Sequence, residues 1–136
     1  MARTSSDFQC SVVTPEAVVL EARASSVSLP AHDGEIGILR NRAPLVCSLG
    51  IGVLRLETDE GPQRLFVDGG FAEVHDNQLT ILTNRAERSD DIDGKAARQA
   101  LDEASAMRIT DEASLTARQN ALARAKARLR LAPGGE

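Results

Sequence analysis

The chain changes its grammar near residue 88, and that change constrains the fold more than any single motif. Before it, short apolar runs recur: "FQCSVV", "AVVLEA", "ASSVSL", "IGIL", "GVLRLET", "QRLFV", "FAEV" and "QLTILT". Turn clusters stand between them: "HDGE", "TDEG", "VDGG" and "HDN". Runs rich in Val, Ile, Leu and Thr, evenly punctuated, predict an antiparallel sandwich or barrel. Hairpins fall at Thr58–Gly61 and His75–Asn77, and the paired Gly69 and Gly70 serve a bend between two strands. From Ser89 onward glycine nearly vanishes. Ala97, Ala100, Leu101, Ala104 and Met107 recur at helical spacing, and so do Leu115, Leu122, Ala125 and Leu129. "RITDEAS" divides the two stretches. Thr110 is placed to cap the second helix, Asp111 and Glu112 suit its first turn, and "APGGE" stops it. The expected fold is mainly β plus α: an antiparallel β-sandwich over 1–87, then an antiparallel two-helix hairpin over 88–136. The hairpin's apolar faces are mostly alanine, so it buries little area and is weakly held.

Charge follows the same division. Residues 1–87 carry 7 basic and 12 acidic side chains, and residues 88–136 carry 9 and 8. Leu115 to Leu131 holds Arg118, Arg124, Lys126, Arg128 and Arg130 and no acid. Cations toward a helix C-terminus favour its dipole, which is one reading of that segment. A solvated face usually mixes signs, so an acidic partner is the other. Over the whole chain the balance is -4, with no Trp and no Tyr. That argues against an anionic-membrane binder and against a base-stacking nucleic-acid protein. No apolar run nears the roughly 20 residues of a membrane span, and the N-terminus lacks a signal peptide's apolar middle. A soluble intracellular protein is expected.

A search for chemistry finds little. His32 and His75 lie in separate turns with no third metal ligand at a recognised spacing. Cys10 and Cys47 alternate with apolar neighbours and read as small hydrophobes, with no base to activate either thiol. "VDGGFAEV" has no following helix and no lysine, so it is no phosphate cradle. Asp33 and Glu35 have the spacing of an acid pair and equally of a tight turn. No catalytic motif emerges, which shifts weight toward a binding or regulatory subunit.

Three stretches together resemble a known family. "VVTPEAVVLEARASSVSLPAHDGEIGIL" followed by "RAPL", the later "FVDGGFAEVHDNQLTILTNRAER", and the Ala-rich tail are similar to the epsilon subunit of F-type ATP synthases. The resemblance runs from about Phe8 to Leu131. It implies a sandwich of about ten strands with a two-helix domain, and no catalytic residue of its own. It implies a rotor-stalk subunit bound to the gamma subunit and the c-ring, with transient contact to the alpha and beta subunits. Such a subunit couples proton-driven rotation to ATP synthesis and restrains hydrolysis through its helices. Its place would be peripheral, on the cytoplasmic face of a bacterial inner membrane, touching the membrane only through the complex.

The resemblance also assigns residues. His32, Asp33, Gly34, Glu35, Ile36 and Gly37 would form the c-ring contact loop, with the two glycines turning the backbone on either side of a charge at the tip. Arg118, Arg124, Lys126, Arg128 and Arg130 would form the regulatory basic helix. Two departures stand out. Arg42 replaces the histidine common before "APL". The nucleotide motif of some members survives only as Ile92, Asp93 and Ala97, because Ala96 replaces its arginine. Arg98 lies about 200° around the helix from that position and does not substitute for it. No cofactor is therefore expected, and ATP binding is expected to be weak. Read without the resemblance, the residues leave open a free-standing sandwich adaptor whose basic helix binds another acidic protein, or a small enzyme.

Overall fold

A computed structural model describes residues 7–133. Nine strands come first: β1 Phe8–Val13, β2 Val18–Ala31, β3 Gly34–Leu39, β4 Leu45–Ser48, β5 Ile51–Thr58, β6 Gly61–Asp68, β7 Phe71–His75, β8 Gln78–Leu82 and β9 Ala86–Arg88. A short 3-10 turn at Ser89–Asp91 leads into α1 Gly94–Ser105 and α2 Glu112–Leu131. The strand order is β4-β7-β8-β1-β2-β5-β6-β9, with β3 beside β2, and every pairing is antiparallel except β1 with β8.

Alternation builds the main core. Phe8, Cys10 and Val12 point inward from β1, Ala72 and Val74 from β7, and Leu79 and Ile81 from β8. The runs "AVVLEA" and "ASSVSL", which read as two strands, are one 14-residue strand, β2. Its first part pairs with β1 and its second with β3, with a register shift between Ala24 and Ser26 on the β5 side. An extra residue there is a common device for bending a strand around the corner of a sandwich. Counting β2 twice would recover the expected tenth strand.

Both expected hairpins are present. Thr58 pairs with Gly61 across Asp59 and Glu60. Asp76 and Asn77 both have positive φ, at 51° and 60°, which is the two-residue turn matched to strand twist. Gly70 has φ 105°, and a Cβ on it would sit 1.9 Å from the Leu82 carbonyl oxygen, so only glycine fits the start of β7.

The helices depart from expectation at their ends. Asp111, not Thr110, caps α2, because the Ser114 hydroxyl accepts from the Asp111 N–H while the Ser114 N–H donates to Asp111 Oδ1 at 2.8 Å. Those bonds from Ser114 hold the Asp111 carboxyl below its usual range. Met107 lies beyond α1 and is exposed. Helix α2 stops at Leu131 because Ala132 precedes Pro133 and is extended, at φ -59° and ψ 144°. The expected glycine stop at 134–135 lies outside the described residues.

Helix α2 packs on α1 along one side and on β5 and β6 along another. Burial therefore falls on Ala125, Ala127 and Leu131, while the expected Leu115, Leu122 and Leu129 are half-buried. The sheet contact forms a second, smaller core of Val53, Phe66, Ile92, Ala127, Leu131 and Ala132. It explains why Leu65, Phe66 and Val67 are all buried: two face the sandwich core, and Phe66 faces the helix.

Candidate functional site

Three surfaces carry the residues singled out by sequence. The first is the hairpin between β2 and β3. Its tip is His32–Asp33, both exposed, closed by the Ala31–Gly34 pair with Gly34 at φ 131°. Glu35 is not at the tip. It lies in β3, where it accepts from Arg55 Nη2 at 2.8 Å and from the Ser28 hydroxyl at 3.1 Å. The charge that the turn itself presents is that of Asp33. Gly37 does not bend the chain either, since it pairs with Ser28 inside β3 and its φ is not positive. Ile36 is half-buried and packs against the sandwich core. The turn end of the hairpin is braced by bonds from the His32 N–H to the Ser48 carbonyl and from the Gly50 N–H to the Pro30 carbonyl. Arg42 is exposed in the next turn, and its N–H donates to the Leu39 carbonyl.

The second surface is the basic segment of α2, which the structure divides. Arg124 Nε donates to Asp68 Oδ2 at 2.8 Å, and Arg128 Nε donates to Glu87 Oε1 at 2.7 Å. Both acids belong to the sandwich, so the hairpin is folded back on it. Arg118 donates to the Ser105 carbonyl near the end of α1. Lys126 and Arg130 are exposed and line a cleft of about 630 Å³ between the helices, together with Lys95, Arg98, Leu101 and Leu129. Ile92 and Asp93 do not open into this cleft. Ile92 is buried against Phe66, and Asp93 is the N-cap of α1, accepting from the Lys95 and Ala96 N–H groups.

The third surface was missed. On the outer face of the sheet Phe71 stands opposite Leu82, Leu82 beside Val13, and Val13 beside Val18. Phe71, Leu82 and Val18 are each more than half exposed, at 57%, 52% and 57%. The signal was partly available: among the residues of "FAEV" and "QLTIL" out of step with the buried ones, Glu73, Gln78 and Thr80 are polar as a solvated face requires, but Phe71 and Leu82 are apolar. A row of this kind on a folded sheet marks a contact surface.

The remaining chemistry is sparse. Cys10 is fully buried and burial pushes its thiol up to about 12, while Cys47 is half-buried, and both are free. Among the described residues no three His, Cys, Asp or Glu side chains group as metal ligands.

The fold and its surfaces define a class: a β-sandwich with a folded-back helical hairpin and an exposed apolar row on its outer face. Residues 7–89 match the family described as ATP synthase, Delta/Epsilon chain, beta-sandwich domain. An ATP synthase epsilon chain from Rhodopirellula baltica is 45% identical over 123 residues, covering 90% of this chain and 96% of that one. One from Symbiobacterium thermophilum is 42% identical over 129 residues, covering 93% of each. A chain of the Euglena gracilis mitochondrial ATP synthase superposes with a TM-score of 0.79 at 25% identity, over 93% of this chain and 81% of that one. A chain of the Tetrahymena thermophila mitochondrial ATP synthase shares the fold, with a TM-score of 0.65 at 16% identity over 92% of this chain and 96% of that one. The chain belongs to the ATP synthase epsilon chain family.

Proposed function

We propose that the chain is a non-catalytic subunit in the rotor stalk of a proton-translocating F-type ATP synthase. It binds the gamma subunit and the c-ring, transmits proton-driven rotation to catalytic sites on other subunits, and restrains ATP hydrolysis through α1 and α2. The observation that carries this is the match to ATP synthase epsilon chains through both the sandwich and the hairpin, 90% of the chain at 45% identity. The solved assemblies containing similar chains support the partners, since one is an OSCP/F1/c-ring assembly and the other a central stalk with c-ring.

The surfaces fit these roles. The Phe71–Leu82–Val13–Val18 row suits a permanent apolar interface, for which the gamma subunit is the proposed occupant. The His32–Asp33 turn, with Glu35, Ile36 and the two glycines behind it, is the proposed contact with the polar loops of the c-ring. The two parts divide the labour near residue 87: sandwich for stalk and ring, hairpin for regulation and for transient contact with the alpha and beta subunits. The chain is peripheral, on the cytoplasmic face of a bacterial inner membrane, and reaches the membrane only through the complex. Among the described residues no helix is long and apolar enough to cross a membrane.

Co-purification from native membranes tests the reading. The gamma subunit is expected to accompany the chain, and Phe71→Ser with Leu82→Ser is expected to lose it while the sandwich stays folded. Recovery without any gamma subunit would leave a free-standing adaptor instead. Hydrolysis by the reconstituted complex tests the brake: the complex carrying a chain that ends at Arg88 should hydrolyse ATP faster than the complex carrying the full chain, and equal rates would refute restraint by the helices.

A further inference from the structure

The sandwich has an open edge that none of these roles uses. Among the described residues, β5 takes up its side of β2 only from Ala24 onward, so Leu20 to Arg23 pair with β1 alone. The parity of the backbone there is fixed. The Gln9 N–H donates to the Asn77 carbonyl, away from β2, so Gln9 and its opposite, Arg23, form a pair without mutual bonds. Ser11 and Glu21, two residues along, share that parity. The backbone groups of Glu21 and the Arg23 N–H are thus turned to the open side. They meet a cleft of about 350 Å³, with Asp59, Glu60 and Gln63 of the β5–β6 hairpin as its other wall. Arg88 bounds it, with Nη2 on the Val19 carbonyl at 2.9 Å and Nη1 on Gln63 Oε1 at 3.4 Å. That arginine gives the carbonyl the donor that a neighbouring strand would give. Arg23 is half-buried, and its Nε is out of water with no partner among the described residues. A guanidinium cannot shed its charge, so this donor stays unmet until an acceptor arrives. A bare anion is a poor candidate, because Glu21, Asp59 and Glu60 line the same cleft.

We propose that this cleft receives a single extended segment of a partner protein, added antiparallel to the edge of β2, with an acidic residue opposite Arg23 and a basic residue opposite Glu21. A strand laid there exchanges backbone bonds with Glu21 and Arg23, which is the strand-addition mode of peptide recognition. Glu21 and Arg23 lie two apart and so share one face of the sheet, and the residues opposite them share it too. Like charges directly opposite destabilise a strand pair and unlike charges stabilise it. Read in its own direction, the segment is therefore acidic, any residue, basic. The carboxylate meets the unmet guanidinium, and the cation meets Glu21 with Glu60 close by. The hairpin wall leaves room for one strand. A second copy of the chain carries the same wall beside its own β2 edge and fits less well.

The probe is a labelled acetyl-Thr-Glu-Val-Lys-Thr-amide peptide titrated into the full chain, read by fluorescence anisotropy and by backbone amide shifts. The amides of Glu21 and Arg23 should move while those of β7 and β8 stay. The peptide of reversed order, Thr-Lys-Val-Glu-Thr, should bind roughly three- to tenfold more weakly, because each of its charges meets a like charge. In Glu21→Lys/Arg23→Glu that preference should invert. No binding, equal binding of the two peptides, or a preference that survives the swap overturns the proposal. N-acetylglutamate amide carries the carboxylate without a strand. If it moves the same amides at the same concentration, the cleft is an anion site and strand addition is wrong. A concentration-dependent dimer that the peptide dissolves would give the edge to a second copy and equally overturn the proposal. Should the swap unfold the sandwich, Arg23→Gln replaces it: it should weaken the glutamate peptide and leave the same peptide with glutamine in that place unchanged, and an equal loss for both counts against the proposal.

Discussion

Phe66→Ala should separate the two halves of the molecule. The ring is fully buried, yet its neighbours Leu65 and Val67 face the main core while Phe66 faces Ile92, Ala127 and Leu131. Truncating a buried phenylalanine costs about 3–5 kcal/mol. The side chains by which α2 reaches the sheet are Ala127, Leu131 and Ala132. One buried leucine contributes about 1.5–3 kcal/mol and each alanine methyl about 0.8, so the apolar part of docking is on the order of 3–5 kcal/mol. The loss and the whole apolar gain are the same size. The variant should leave the hairpin largely undocked and the sandwich folded. Hydrogen exchange measures this residue by residue: α2 should lose protection while β1, β2 and β8 keep theirs. If the strands and α2 lose protection equally, the two cores are one cooperative unit and the reasoning fails.

Other outcomes follow from single residues. Glu35→Lys would set a lysine against Arg55; as both members of the pair are about half exposed, at 55% and 51%, the stability cost should be roughly 0.5–2 kcal/mol in urea melts. The same change should lower the ratio of proton pumping to ATP hydrolysis in reconstituted membranes, and an unchanged ratio would reduce the hairpin to a turn. Calorimetry should find ATP bound weakly, and Ala96→Arg should tighten it roughly ten- to a hundredfold by restoring a charge-assisted bond; tight binding by the native chain would mean that Lys95, Arg98, Lys126 and Arg130 already compensate. Cys10 keeps its proton in the folded state up to about 12 against an ordinary 9.0. The unfolded thiol ionises first, so its contribution to stability is whole below about 9 and falls as pH rises toward 12, which a series of melts with and without Cys10→Ala resolves.

The sandwich was legible because period-two burial and turn residues are local properties. "FQCSVV", "FAEV" and "QLTIL" each show their inward face directly, and "HDN" gives its turn because Asp and Asn tolerate positive φ. β2 was misread because a bulge interrupts alternation just as a turn does. Glu35 was misplaced for a similar reason: "HDGE" is a four-residue cluster, and only the pairing register shows that the turn is His32–Asp33 and that glycine and glutamate already belong to β3. The face of α2 could not be read from one helical stripe, since the helix touches both α1 and the sheet. Its ties to Asp68 and Glu87 span 56 and 41 residues, and no local pattern encodes partners at that distance. A clue lay in "LFV" all the same: three consecutive apolar residues in an alternating sheet mean that something covers the second face.

The separation of the two apolar clusters gives the molecule an asymmetric dependence. The larger cluster draws on the strands and on Leu49 between β4 and β5, with no residue from the hairpin. The smaller one needs the sheet, because α2 and its C-cap supply two alanines and a leucine while Val53 and Phe66 of the sheet and Ile92 of the linker supply the rest. A departing hairpin therefore leaves behind a wetted phenyl ring and valine on an otherwise intact surface. That vacated patch acts as a return address. A hairpin that left would return whenever no other surface held it, and a foreign apolar segment settled on Phe66 would keep it out without ever touching the helices.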